Sequence, residues 1–259
     1  MTTPPIRAIK ERPERLFVVG DIHGCLAELG ALLNVIKVEQ KLSQNDLLIF
    51  IGDYIDRGPE SKGVIDLMLS IKAEFPKTVF LKGNHEDMLL DYLGLGGRGS
   101  DVYMHNGGLA LFRSYGVPAY DDRTKVVGQL PSEHIEFLKG LELGVSVAEF
   151  LFVHAGLDPL KPMDGQSEED LLWIRQAFTE NVHPFGKTVV FGHTPYEDIF
   201  IHLPFKLGID TGLVYGNKLS CLELVEGVLF QIESGERTVK TTSLEHYIGS
   251  KTPDTVEKE

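Results

Sequence analysis

Leu47-Leu-Ile-Phe-Ile51, followed at once by Gly52-Asp-Tyr-Ile-Asp-Arg-Gly58, decides the fold. Five apolar residues without alternation read as a strand buried on both faces. The abrupt change to Gly, Asp and Arg marks a strand that ends in a polar loop. The same change occurs four more times. Leu16-Phe-Val-Val19 runs into Gly20-Asp-Ile-His-Gly24, and Thr78-Val-Phe-Leu81 into Gly83-Asn-His-Glu86. Phe150-Leu-Phe-Val153 runs into His154-Ala-Gly156, and Thr188-Val-Val-Phe191 into Gly192-His-Thr194.

Residues 26–36 and 61–71 carry apolar side chains at helical spacing, with Ser61 placed as an N-cap. Strand, polar loop, helix and strand in that order predict an α/β fold. Ligands bind at the carboxyl ends of the strands in such sheets, so the five polar clusters are predicted to converge. Residues 88–149 differ in character. They hold the glycine-rich Gly94-Leu-Gly-Gly-Arg-Gly99, then Asn106-Gly-Gly108, then a helix expected after Pro131. This stretch reads as a mostly helical insertion beside the sheet. After Ile199 the pattern returns to strands, at 206–210, 219–224 and 228–232, as in an antiparallel sheet. Residues 1–14 read as a flexible arm, 15–250 as a single catalytic domain, and 251–259 as a flexible tail.

The chain has 259 residues, a net charge of -13 and 42% hydrophobic residues, enough for one sizeable core. An acidic balance excludes a general nucleic-acid binder. It leaves room for a small anionic substrate, because bound metals dominate local charge. No apolar run spans a bilayer and the first residues lack a signal-peptide core, so no membrane partner and a cytoplasmic location are expected. Cys25 and Cys221 are read as two reduced thiols.

The strand ends supply Asp21, His23, Asp53, Asn84, His154 and His193. Oxygen and imidazole donors without cysteine suit Mn, Fe or Zn. Six donors are too many for one four-coordinate ion, but suffice for two ions that share a carboxylate and keep open positions. His85 could donate a proton to a leaving group, and Asp56 could orient it. Arg57 and Arg175 could clamp phosphate oxygens. Each of these residues alone has a plainer reading, as a turn residue, a core histidine or a surface cation. Recurrence at five strand ends, each time with glycine beside Asp, Asn or His, outweighs it. Trp173 reads as core, Ser167-Glu-Glu-Asp170 as the start of a helix, and His105, His183 and His202 receive no role.

Taken in order, Gly20-Asp-Ile-His-Gly24, Gly52-Asp-Tyr-Ile-Asp-Arg-Gly58, Gly83-Asn-His-Glu86, His154-Ala-Gly156 and Gly192-His-Thr194 resemble the signature of the phosphoprotein phosphatase family of metallophosphoesterases. The resemblance implies a calcineurin-like α/β/β/α sandwich. It implies one metal on Asp21, His23 and Asp53 and another on Asp53, Asn84, His154 and His193, with Asp53 as the bridge. It further implies in-line attack by metal-bound hydroxide, with His85 and Asp56 as the general-acid pair and Arg57 as a phosphate clamp. The segment ending in Arg175 is similar to the one bearing the second arginine of bacterial and phage-type members.

Asp56 and Glu86 favour a serine/threonine or dual-specificity protein phosphatase, whereas Ile209-Asp-Thr-Gly212 resembles symmetrical diadenosine tetraphosphate hydrolases. A non-catalytic binding module on the same fold is the third reading. The expected cofactor is two divalent ions, with Mn preferred over Fe or Zn. The expected substrate is a phosphorylated protein or small phosphoester, with no dedicated regulatory subunit.

Overall fold

The computed structural model describes residues 6–118 and 126–244. Twelve strands within these residues form two six-stranded sheets. In the first sheet the order is β1 (Arg7–Ile9), β5 (Gly144–Val147), β6 (Phe150–Val153), β7 (Thr188–Phe191), β9 (Lys206–Gly208) and β8 (Phe200–His202). In the second it is β12 (Lys240–Ser243), β11 (Val228–Glu233), β10 (Lys218–Glu223), β2 (Leu16–Val19), β3 (Leu47–Phe50) and β4 (Val79–Phe80). The helices are α1 (Leu26–Asn34), α2 (Ser61–Glu74), α3 (Asn84–Tyr92), α4 (Gly108–Tyr115), α5 (Ser132–Lys139), α6 (Glu168–Trp173) and the single turn α7 (Gln176–Thr179).

The apolar runs lack alternation because both faces of each strand are covered. Leu16, Val18, Leu47, Ile49 and Ile51 point inward and meet Phe150, Phe152, Val190 and Leu207 of the other sheet. Phe17, Val19, Leu48 and Phe50 point outward, under α1, α2 and the helices of the insertion. On the far side Leu151, Val153, Val189 and Phe191 pack against Leu171 and Phe178. Three apolar layers therefore alternate with two sheets, the α/β/β/α sandwich expected from the resemblance. Strands β2, β3 and β4 run parallel, as do β6, β7 and β9. Their carboxyl ends face one edge of the sandwich.

Four readings change. The stretch read as a flexible arm carries β1, which pairs in parallel with β5 and is pinned by a two-pronged Arg7–Glu142 ion pair at 2.6 and 2.7 Å. The strands after Ile199 do not share one antiparallel sheet. β9 joins the first sheet beside β7, while β10 and β11 join the second, because the chain crosses the site between β9 and β10. Ser61 is the first residue of α2 and not its cap. Its hydroxyl instead accepts the Asp56 N–H at 3.0 Å. The stretch read as an insertion, 88–149, begins inside α3 and ends in the turn between β5 and β6, so it takes in β5 as well as helices. The tail over 251–259 lies outside the described residues. Cys25 and Cys221 are both free. Among the described residues no helix is long and apolar enough to cross a membrane.

Candidate active site

Asp21 and His23 follow β2, Asp53 follows β3, Asn84 opens α3 after β4, His154 follows β6 and His193 follows β7. All six are buried and come together. His193 N–H donates to Asp21 Oδ2 at 3.0 Å, and His85 N–H to Asp53 Oδ1 at 3.1 Å. His154 Nε2 and His193 Nδ1 lie 3.1 and 2.9 Å from Asn84 Oδ1. Asp53 alone touches both groups, with Oδ2 3.3 Å from His23 Nε2 and Oδ1 3.5 Å from His154 Nε2.

The backbone pays for this convergence with strain. Among the described residues seven non-glycine positions have positive φ, and five of them are His23, Asp53, Asp56, Arg57 and His193. Such conformations cost on the order of 1–3 kcal/mol each and persist where the surroundings over-determine them. Two glycines are required by close approach. A Cβ on Gly83 would meet Asp53 Oδ1 at 2.1 Å, and one on Gly192 would meet Asp21 Oδ1 at 2.0 Å.

The donor set fits cations. His23 Nδ1 and His154 Nδ1 each lie against a backbone carbonyl, Ile55 O at 2.9 Å and Ile51 O at 3.0 Å. A carbonyl only accepts, so each Nδ1 carries the hydrogen and each Nε2 turns a lone pair inward. The His154 lone pair then faces the Asp53 carboxylate, acceptor against acceptor. Burial lowers the pKa of His154, and a cation between the two groups would relieve that clash. At His23 the Arg57 guanidinium plays the cation, donating to Nε2 at 2.6 Å. Burial pushes the Asp21 carboxyl well above its usual range, reinforced by Asp210 and Asp53. His193 falls to about 2, by burial and then by its neighbours His154 and Arg175. Asp21 Oδ1 and His193 Nε2 are buried without a protein partner.

Two groups of donors within 4.8 Å of one another are His23, Asp53 and His85, and Asp53, His154 and His193. The second group is three of the four donors expected for one metal. The first contains His85 where Asp21 was expected. His85 Nδ1 is taken by Asp56 Oδ2 at 2.7 Å, however, and the outer oxygen of Asp56 accepts the Tyr103 hydroxyl at 2.9 Å. This buried chain fixes the ring and leaves Nε2 without a protein partner. Arg57 is half-buried, and its backbone N–H donates to Gly107 O at 3.3 Å, so Asn106-Gly-Gly108 reaches the site. Arg175 is exposed and donates to His193 O at 2.9 Å.

Three residues escaped sequence reasoning in these roles. Glu86 is fully buried and accepts backbone N–H groups from Asp53, Tyr54, Ile55 and Gly83, at 2.8 to 3.4 Å. It ties the Asp53 loop to α3, although burial and the Asp53 charge push its pKa up to about 8. Its place three residues after Gly83 is capping-box spacing, a signal that was there to be read. Tyr103 carries no such signal, and Asp210 was marked only as part of Ile209-Asp-Thr-Gly212. Trp173 packs on the core as expected, and its ring also stands edge-on to His193 at 6.2 Å. The acidic run behaves as expected, with Ser167 capping α6 in a box with Asp170.

A family model described as calcineurin-like phosphoesterase matches residues 14–221. The chain is 25% identical over 242 residues to the Bis(5'-nucleosyl)-tetraphosphatase PrpE [asymmetrical] of Oceanobacillus iheyensis, covering 85% of this chain and 92% of that protein. It is 29% identical over 212 residues to Serine/threonine-protein phosphatase 1 of Salmonella typhimurium, covering 79% and 89%. A solved protein serine/threonine phosphatase from Saccharomyces cerevisiae superposes with a TM-score of 0.59 at 16% identity, covering 93% of this chain and 84% of that one.

Proposed function

The chain belongs to the calcineurin-like phosphoesterase family, and we propose that within it the protein is a dinuclear-metal phosphatase acting on phosphoserine and phosphothreonine in proteins. The observation that carries this reading is the buried His85–Asp56 pair at 2.7 Å beside Asp53. Hydrolysis of a serine or threonine phosphate expels an alkoxide, which needs a proton as the bond breaks. Hydrolysis of a dinucleoside polyphosphate expels a phosphate anion, which does not.

Asp21, His23 and Asp53 would hold one ion, and Asp53, Asn84, His154 and His193 the other. Mn²⁺ is the ion proposed, and Fe or Zn suit the same donors. Such a pair supplies positive charge to the phosphoryl oxygens and lowers the pKa of water toward neutrality. The protein does the rest. Asp56 accepts from His85 Nδ1 and stabilises the ring when it is charged, so that Nε2 holds a proton for the leaving oxygen. Arg57 and Arg175 bind the non-bridging oxygens from two sides, and their charge counts for more as the phosphoryl group becomes more negative. The substrate is a phosphorylated protein or small phosphoester, handled in the cytoplasm without a dedicated regulatory subunit.

A second reading, cleavage of a diadenosine tetraphosphate, is favoured by the Oceanobacillus relative's name and coverage and by Ile209-Asp-Thr-Gly212. A pure binding module is disfavoured by the retention of all six donors, His85 and both arginines. The Mn²⁺-loaded protein should release phosphate from a phosphoserine peptide faster than it splits diadenosine tetraphosphate. His85→Asn should slow the peptide more than an aryl phosphate, whose leaving group needs no proton. Faster splitting of the dinucleotide by the unmodified protein overturns the phosphatase reading.

A further inference from the structure

Lys206 has no exposed surface, and burial alone moves its pKa, downward. Among the described residues no carboxylate compensates it, and such a buried cation is expensive to keep. Its Nζ donates to Phe178 O at 2.6 Å, to Thr179 O at 3.2 Å and to Asn181 O. Three carbonyls match the three hydrogens of an ammonium, whereas a neutral amine would turn its lone pair on one of them. The ammonium also stands 4.9 Å from the centroid of the Phe178 ring, a cation–π contact. These carbonyls close α7, the single turn that Arg175 opens. Arg175 O accepts the Phe178 and Thr179 N–H groups, both at 2.9 Å, so the two ends of the turn are tied together. The Arg175 side chain donates to His193 O at 2.9 Å, and His193 follows β7. β7 pairs with β9, where Val189 lies opposite Lys206. The circuit from Lys206 through α7, Arg175, His193 and β7 therefore closes on its own strand.

We propose that Lys206 is a positioning residue for Arg175: it ties the end of α7 to β9 and so fixes the backbone from which the guanidinium reaches the phosphoryl group. This rests on the phosphoester reading above, in which Arg175 binds a non-bridging oxygen. A four-residue helix cannot hold its own shape in water. The Arg175 side chain is exposed, and Thr194 Oγ1 at 3.4 Å is a weak second partner beside His193 O. Its reach therefore depends on where the turn beneath it is held. For packing alone an apolar side chain of similar length would serve as well or better than a buried ammonium. The ammonium adds three directed bonds, all to the one turn that carries Arg175.

A double-mutant cycle in the Mn²⁺-loaded protein tests this. The readouts are kcat/KM on phenyl phosphate, whose leaving group needs no proton, and the affinity for inorganic phosphate by calorimetry. Lys206→Met keeps the length of the side chain and removes its donors. It should lower kcat/KM by roughly tenfold and weaken phosphate binding in the same direction, with bound manganese unchanged. In an Arg175→Ala background the same substitution should alter either value by less than about twofold. Lys206→Arg, which keeps charge and donors, should fall between the unmodified protein and Lys206→Met. An unchanged kcat/KM in Lys206→Met overturns the proposal. Equal losses with and without Arg175, or a loss of bound manganese, overturn it too and make Lys206 a support for the sheet at large. If Lys206→Met does not fold, Lys206→Gln, which keeps an amide donor, carries the same cycle, and failure of both to fold has that same meaning. If Arg175→Ala alone leaves kcat/KM unchanged, the clamp reading of Arg175 falls and this proposal with it. If the unmodified protein does not turn over phenyl phosphate at all, the phosphoester reading itself has failed.

Discussion

The two halves of the site are built differently. The half on the β2–β3–β4 sheet is self-supporting: Glu86 gathers four backbone N–H groups, Ser61 takes a fifth, and four of the five strained site residues lie there. The half on the β6–β7 sheet is tied within itself by Gly192 N–H to His154 O at 2.7 Å and by Arg175 to His193 O at 2.9 Å, and it also leans across the gap. His154 Nδ1 rests on Ile51 O, His193 N–H on Asp21, and the His193 ring on Asn84. The first half also supplies the carboxylates, and the second supplies only imidazoles. One sheet therefore sets the geometry, and the imidazoles of the other are oriented by it.

The largest expected effect comes from the residue that joins the halves. Asp53→Asn should lower kcat by about a thousandfold or more, the several kcal/mol that charge stabilisation by a metal supplies. It should also reduce bound metal, measured by elemental analysis of the purified variant. Near-normal turnover with full metal loading would remove Asp53 as the bridge. Next comes the leaning half. Arg175→Ala should cost roughly 2–4 kcal/mol in kcat/KM, the scale of one lost oxyanion donor, and metal content should not change. An unaltered kcat/KM takes Arg175 out of the reaction, and a drop in bound metal would show that it props His193 instead. The smallest effect on turnover should come from Glu86→Gln, which swaps an acceptor for a donor among four N–H groups. Metal affinity should fall by about 10- to 100-fold, as for other residues that orient ligands, with a lower unfolding midpoint in urea. If both values match the unmodified protein, the first half does not depend on Glu86 for its shape.

The comparison of halves also shows where sequence reasoning stops. Asp21, His23, Asp53, Asn84, His154 and His193 were legible because each stands within four residues of the end of an apolar run, and such runs announce themselves locally. Asp56, Arg57 and His85 were legible because they continue the polar loops that follow the same runs. Arg175 was put forward for its guanidinium chemistry and then by resemblance, since a lone arginine before a one-turn helix has no positional mark of its own. Tyr103 sits 47 positions from the Asp56 carboxylate that it meets, inside an insertion with no motif. The fate of β9 was misread because a short apolar strand carries no label for its sheet.

The sequence by itself determined the five buried strands that lead into the site, the loops that end them and the chemical types of donor, because burial on two faces and the turn chemistry of glycine, aspartate and histidine act between near neighbours. Only the tertiary structure decided which half braces the other, that Glu86 holds the Asp53 loop, that Arg7–Ile9 is a strand, and that Lys206 meets the end of α7. Those are meetings of segments far apart in the chain, fixed by how two sheets pack over a shared core, and neither partner carries a local trace of the other.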